Sequence, residues 1–347
     1  MVMLEDSIMI KGNTTTAGSK MLQGFVPPFS ATVADRLAQA GIKTAQNNAW
    51  MCEFGIPALF DDSTEQSALG AVKAVAEGTY NAALCNDIFG LYRKQAALEG
   101  MYYIHPTYGT VSRYGLIPVA CSMDQIGVLC KDLPEGFRLL SHIAGHDERD
   151  GAMFAEKQYN YTGGVKNIRI GLSSCAEDIV LPTSLESVRI SLSHFDVYGQ
   201  IMRILSFGEA SNNLSRYDGI KFGFRAEDHR GINDLYLKSR SQGFGLQTKL
   251  TIIAGAMVLS QDHYVPYYEK AMKIRRLIKE SLPFDKCDVI ALPCRYGGTH
   301  YQDMALYALA NLAGLPSISF KYKDQHIQLI ADAKNENALL SAWEVMA

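Results

Sequence analysis

Strands alternating with helices along 347 residues predict an α/β fold with a mixed or mostly parallel sheet, built as one domain over residues 1–347. Short apolar runs at 81–85, 168–172, 288–292 and 317–320 have the length of buried strands. Stretches at 32–41, 133–144, 247–259 and 264–281 repeat their apolar residues at helical spacing. No internal repeat, low-complexity tract or linker divides the chain.

Taken in order, residues 7–11 read as a buried strand ending at Lys11, and Gly12-Asn13 turns the chain away. Pro27-Pro28 forbids a helix before the short amphipathic one at 32–41, where Val33, Leu37 and Ala40 share a face. Apolar positions 68, 69, 71, 72, 75 and 76 mark a helix that Gly78 closes, and the run at 81–85 then delivers a turn at 86–90. Loops are expected at 106–116, 122–127 and 144–150. A helix is expected over 186–204 and a polar loop over 209–219. A helix at 304–312, a strand at 317–320 and a last helix at 336–345 complete the chain.

Composition narrows the function. Hydrophobic residues make up 48% and charged residues 20%, as in a globular protein with a substantial core. A net charge of −3 supplies no basic surplus for gripping a nucleic acid. Seven cysteines without a CxxC pair, and no basic-apolar leader, point to reduced thiols and a cytoplasmic setting. No apolar run approaches the ~20 residues that span a bilayer. The histidines lack metal-ligand spacing, and neither GxxxxGK nor GxGxxG is present, so no metal or phosphate cofactor is expected.

Three residues invite a chemical reading beside a plainer one. Lys11, closing an apolar strand, is either a solvent-reaching lysine or a buried one whose lowered pKa would make it a base. Ser67 heads a helix, where serine ordinarily caps. Cys85 sits at a strand end without a nearby histidine, as a small buried thiol does.

Several runs together are similar to the amidase-signature family. They are Ile10-Lys-Gly-Asn13, Thr15-Thr-Ala-Gly-Ser-Lys-Met-Leu22, Pro106-Thr-Tyr-Gly-Thr-Val-Ser-Arg-Tyr-Gly-Leu116, Ser122-Met-Asp-Gln-Ile-Gly127 and Ala144-Gly-His-Asp-Glu-Arg-Asp150. The likeness is narrowest to the GatA branch, the glutaminase subunits of the tRNA-dependent amidotransferase GatCAB. It implies a central mixed sheet flanked by helices on both faces, shortened here and without the helices that ordinarily precede the lysine. It also implies a Ser–cis-Ser–Lys triad, with no metal or cofactor. Lys11 falls on the family lysine, where Asp would be usual in place of Gly12, and Ser67 falls on the cis-serine.

The nucleophile position falls on Leu91. The family's Ser-Asp-Thr-Gly-Gly-Ser-Ile-Arg reads Asn86-Asp-Ile-Phe-Gly-Leu-Tyr-Arg93 here, so Ile88, Phe89 and Gly90 occupy the oxyanion loop. Leucine has no lone pair with which to attack a carbonyl. The arginines expected to clamp a substrate carboxylate fall on Leu250 and Thr251, and the aspartate for its amine falls on Met304, beside Asp303. The resemblance thus implies a pseudo-amidase, a non-catalytic scaffold beside GatB-like and GatC-like partners, meeting tRNA only through them. The alternative is an active amidase with Ser67 or Cys85 as nucleophile and Lys11 as base. The first reading expects a site plugged by Leu91 and Phe89; the second expects an open pocket with a hydroxyl or thiol facing Lys11.

Overall fold

The computed structural model describes residues 1–47, 52–57, 69–297 and 299–347. Its centre is a ten-stranded mixed sheet in the order β2-β1-β3-β5-β4-β9-β10-β8-β6-β7. The first half of the chain supplies β1 (Val2–Glu5), α1 (Thr32–Gln39), β2 (Thr44–Asn47), α2 (Leu69–Ala76), β3 (Ala82–Asn86) and α3 (Leu91–Leu98). It continues with β4 (Tyr102–His105), β5 (Ile126–Cys130) and α4 (Leu133–Ile143). The second half adds β6 (Arg169–Leu172), β7 (Glu186–Arg189), α5 (Tyr198–Leu214), α6 (Ile232–Gly243) and α7 (Leu246–Val258). A short α8 (Gln261–His263) runs through a π turn into α9 (Lys270–Glu280). Then come β8 (Val289–Pro293), α10 (His300–Ala313), β9 (Ser317–Tyr322), β10 (Gln325–Ala331) and α11 (Glu336–Met346).

Both faces of the sheet are covered, which is why its strands read as continuous apolar runs. On β1 and β3, Val2, Leu4, Ala82 and Leu84 face the core that includes Val33 and Leu37 of α1 and Phe137 and Leu140 of α4. Met3, Ala83 and Cys85 face the opposite way, against Val72 and Val75 of α2 and Leu91 and Tyr92 of α3. The alternation is the two-residue period of a strand. β1 runs parallel to both β2 and β3, and β3 pairs antiparallel with β5. Among the described residues no helix is long and apolar enough to cross a membrane.

Several local expectations are corrected. The strand expected at 7–11 lies at Val2–Glu5, and Ile8 makes only an isolated bridge to Leu116. The helix expected over 186–204 is a strand, Glu186–Arg189, followed by a helix that starts at Tyr198 and runs to Leu214. Alternation in Glu186-Ser-Val-Arg189 suits the exposed edge of the sheet. The helix continues through the polar residues expected as a loop because they find partners: Glu209 accepts from Ser122, and Asn213 donates to Val119 O. The strand at Gln325–Ala331 was hidden by its polar start; it forms a hairpin with β9. The loop expected at 122–127 ends at Gln125, and β5 begins at Ile126.

One buried ion pair locks the turn that follows β3. Arg93, fully buried, donates to Asp87 Oδ2 from Nε at 2.9 Å and from its backbone N–H at 3.0 Å. Its other nitrogens reach Asn311 Oδ1 on α10 and Gln328 Oε1 on β10. Replacing Arg93 by Ala strands a buried carboxylate, so Arg93→Ala should lose about 3–5 kcal/mol in urea denaturation. Arg138→Ala, which breaks an exposed pair with Glu135, should change stability by no more than ~0.5 kcal/mol.

Candidate functional site

β3 carries the chain to the turn, and the turn hands it to α3 at Leu91. Gly90 makes that join possible. It has φ +81°, and a Cβ there would stand 2.1 Å from the Tyr307 ring. Leu91 is buried beside Met3, Val72, Cys85 and Tyr92. Ile88 and Phe89 are buried in the core that also holds Met202, Met304 and Leu309. All three positions expected to form the oxyanion loop are therefore packed.

The neighbouring strand, β1, ends in this place with Glu5. Its carboxylate accepts from Asn86 N at 2.8 Å, from Tyr92 Oη at 2.7 Å and from Ser7 Oγ at 3.0 Å. Burial, partly countered by those donors and reinforced by the Asp87 charge, raises the Glu5 pKa from 4.5 to about 7. Glu5, Asn86, Asp87, Phe89, Leu91 and Tyr92, with Cys52 and Gly55 opposite, surround a cavity of about 10 Å³. That is room for one water.

Lys11 is not at this site in the manner expected. It is exposed, in the turn after Ile10, and its backbone N–H donates to Ser30 Oγ at 3.0 Å. The buried strand end expected to carry a lysine carries Glu5 instead, because β1 stops six residues earlier than its apolar tail suggested. Asp6, the next residue, accepts from Thr16 N at 3.1 Å. Ser67 lies outside the described residues. Cys85 is fully buried, and burial pushes its thiol pKa well up, the nearby Glu5 and Asp87 charges adding to the effect.

The residues that the resemblance assigns to substrate-holding positions lie on α7 and α10. Thr251 is buried and Leu250 half-buried on α7. Met304 is buried, and the adjacent Asp303 pairs with Lys94 Nζ at 2.9 Å and accepts from Tyr296 N at 2.6 Å. Among the described residues no cluster of His, Cys, Asp and Glu could hold a metal.

Retained runs account for a second group of contacts. Asp147 accepts from Thr32, Ser112 and Arg149, so the 144–150 loop is clasped to α1 and to the 106–116 loop. Arg113 and Asp150 form a bidentate pair, at 2.9 and 2.6 Å.

The family model described as Amidase matches residues 67–340. This chain belongs to the amidase-signature family. Among curated proteins it is 34% identical to the GatA component of glutamyl-tRNA(Gln) amidotransferase from Caldanaerobacter subterraneus subsp. tengcongensis, over 92% of this chain and 75% of that one. Among solved structures it is similar to the same amidotransferase component from Thermotoga maritima, with a TM-score of 0.74, 24% identity, and coverage of 98% and 81% of the two chains. Native peptide amidase from Stenotrophomonas maltophilia aligns with a TM-score of 0.76 and 22% identity over 98% and 80%. The mixed central sheet flanked by helices is the arrangement expected of the family, on a chain somewhat shorter than these relatives.

Glu5 was missed in the sequence although its signal was there: a charged residue ending an apolar run, Val2-Met-Leu4, the same signal that drew attention to Lys11. It has a measurable consequence. Because the folded-state pKa of Glu5 is raised, the folded protein holds its proton longer than the unfolded chain does, and ionisation costs stability as pH climbs from about 4.5 to about 7. Wild type should lose up to about 3 kcal/mol across that window that Glu5→Gln does not lose. Thermal melts of both proteins at pH 5 and pH 8 measure the difference.

Proposed function

We propose that this chain is a GatA-like pseudo-amidase, a non-catalytic subunit of a GatCAB-like tRNA-dependent amidotransferase or of a related amide-forming complex. A single observation carries the reading. Leu91, at the position that the resemblance gives the nucleophile, and the carboxylate of Glu5 line one cavity of about 10 Å³, too small for a bound amide.

Each substitution disables a different step. Lys11 is exposed in the turn after Ile10 and does not line this cavity to start a proton relay, and leucine cannot attack a carbonyl. Ile88 and Phe89 pack into the core, and the cavity that Phe89 lines, at about 10 Å³, is too small for a tetrahedral intermediate. Asp303, held by Lys94, is not free to hold a substrate amine.

What remains is a framework of buried pairs that positions surfaces. Relatives named as amidotransferase components support a role beside GatB-like and GatC-like partners, with tRNA reached through those partners. Free ammonia accepted by such a partner would let the assembly form amides without glutamine hydrolysis in this chain. A buried thiol of raised pKa is a poor nucleophile, which weighs against Cys85 in an altered amidase.

Purified protein incubated with glutamine should release glutamate no faster than buffer, and Lys11→Ala should leave that rate unchanged. Protein isolated from its native cells should carry co-purifying partners that amidate with ammonium but not with glutamine. Glutamate release by the pure chain at enzymatic rates contradicts the reading.

A further inference from the structure

A second and far larger cavity, of about 420 Å³, lies apart from the plugged site and plays no part in the proposal above. Its size falls within the range of small-molecule sites. The wall is aromatic: the rings of Phe25 and Phe222 lie 5.3 Å apart, and those of Phe29 and Tyr114 5.0 Å apart. The retained loops at 113–118 and 149–151 form much of its rim.

Three arginines reach this cavity, and they differ in how their charge is met. Arg113 is held bidentately by Asp150. Arg149 donates to Asp147 Oδ1 at 3.0 Å. Arg216 donates only to Asn213, to its backbone oxygen at 2.8 Å and to Oδ1 at 2.9 Å, and among the described residues it has no carboxylate partner. The remaining acid in the wall, Asp124, is buried and accepts from Asn86 Nδ2 at 2.9 Å and Val119 N at 3.1 Å. The wall therefore presents one uncompensated guanidinium beside an aromatic surface. One such cation, with two acids also in the wall, suits a monoanion better than a phosphate dianion.

We propose that this cavity binds a small organic monoanion with a flat apolar body, an arylalkanoate in chemical class, its ring on the aromatic wall and its carboxylate on Arg216. Cys121, an exposed residue, also lines the cavity. A larger side chain there fills the space without entering the core.

Indole-3-acetate is the probe, with indole-3-ethanol as its uncharged counterpart, titrated calorimetrically into the whole chain. The expected result is saturable one-to-one binding of indole-3-acetate, at least tenfold weaker binding of indole-3-ethanol, and at least tenfold losses for indole-3-acetate in Arg216→Gln and in Cys121→Trp. Both positions are exposed, and unchanged thermal melts establish that the variants fold; should Cys121→Trp not fold, Arg216→Gln decides alone. Absence of saturable binding, equal affinity for the two probes, or undiminished binding by folded Arg216→Gln overturns the proposal.

Discussion

The buried Asp87–Arg93 pair is the interaction on which the rest of this structure turns. It closes the loop between β3 and α3, and Arg93 carries that loop onto α10 and β10 through Asn311 and Gln328. A buried ion pair contributes little net stability over an apolar substitute, yet losing one partner is costly. Such a pair therefore fixes the geometry of a turn independently of whether that turn does chemistry. Here it holds a turn whose tip, Leu91, is apolar and buried.

The charge at the end of β1 follows the same logic. A buried lysine in the family's site must be neutral to act, and its cost in burial is met by the chemistry it performs. Glu5 in its surroundings has a different solution. It takes three hydrogen bonds, from Asn86, Tyr92 and Ser7, and its proton affinity rises. The network ties β1 to β3 and α3 across the face where Leu91 packs. Elsewhere, Asp147 accepts from Thr32 and Ser112 and clasps its loop to α1.

Much of the architecture was legible from the chain because both faces of the sheet are covered, so apolar runs such as 81–85 and 288–292 declare themselves. The packing of Leu91 and Phe89 was also legible, since leucine and phenylalanine at a turn tip have only apolar burial to offer. Failures came where tertiary partners overrode local pattern. Glu209 and Asn213 look like loop residues until Ser122 and Val119 O are placed beside them. Lys11 and Glu5 each follow an apolar run within a few residues, and only the sheet register, Val2 opposite Ala82 and Leu4 opposite Leu84, shows which run is the strand. The 420 Å³ cavity could not be read at all, because its walls come from segments near residues 25, 115, 150 and 217 that no periodicity connects.

The central claim is that the family's nucleophilic chemistry is absent from this chain. Intact-protein mass spectrometry after exposure to 6-diazo-5-oxo-L-norleucine, a glutamine analogue that alkylates glutaminase nucleophiles, addresses it directly. The account predicts an unmodified mass at reagent concentrations that fully label an active glutaminase of the family. A stoichiometric adduct, mapped by peptide sequencing to Ser67 or Cys85, would contradict it.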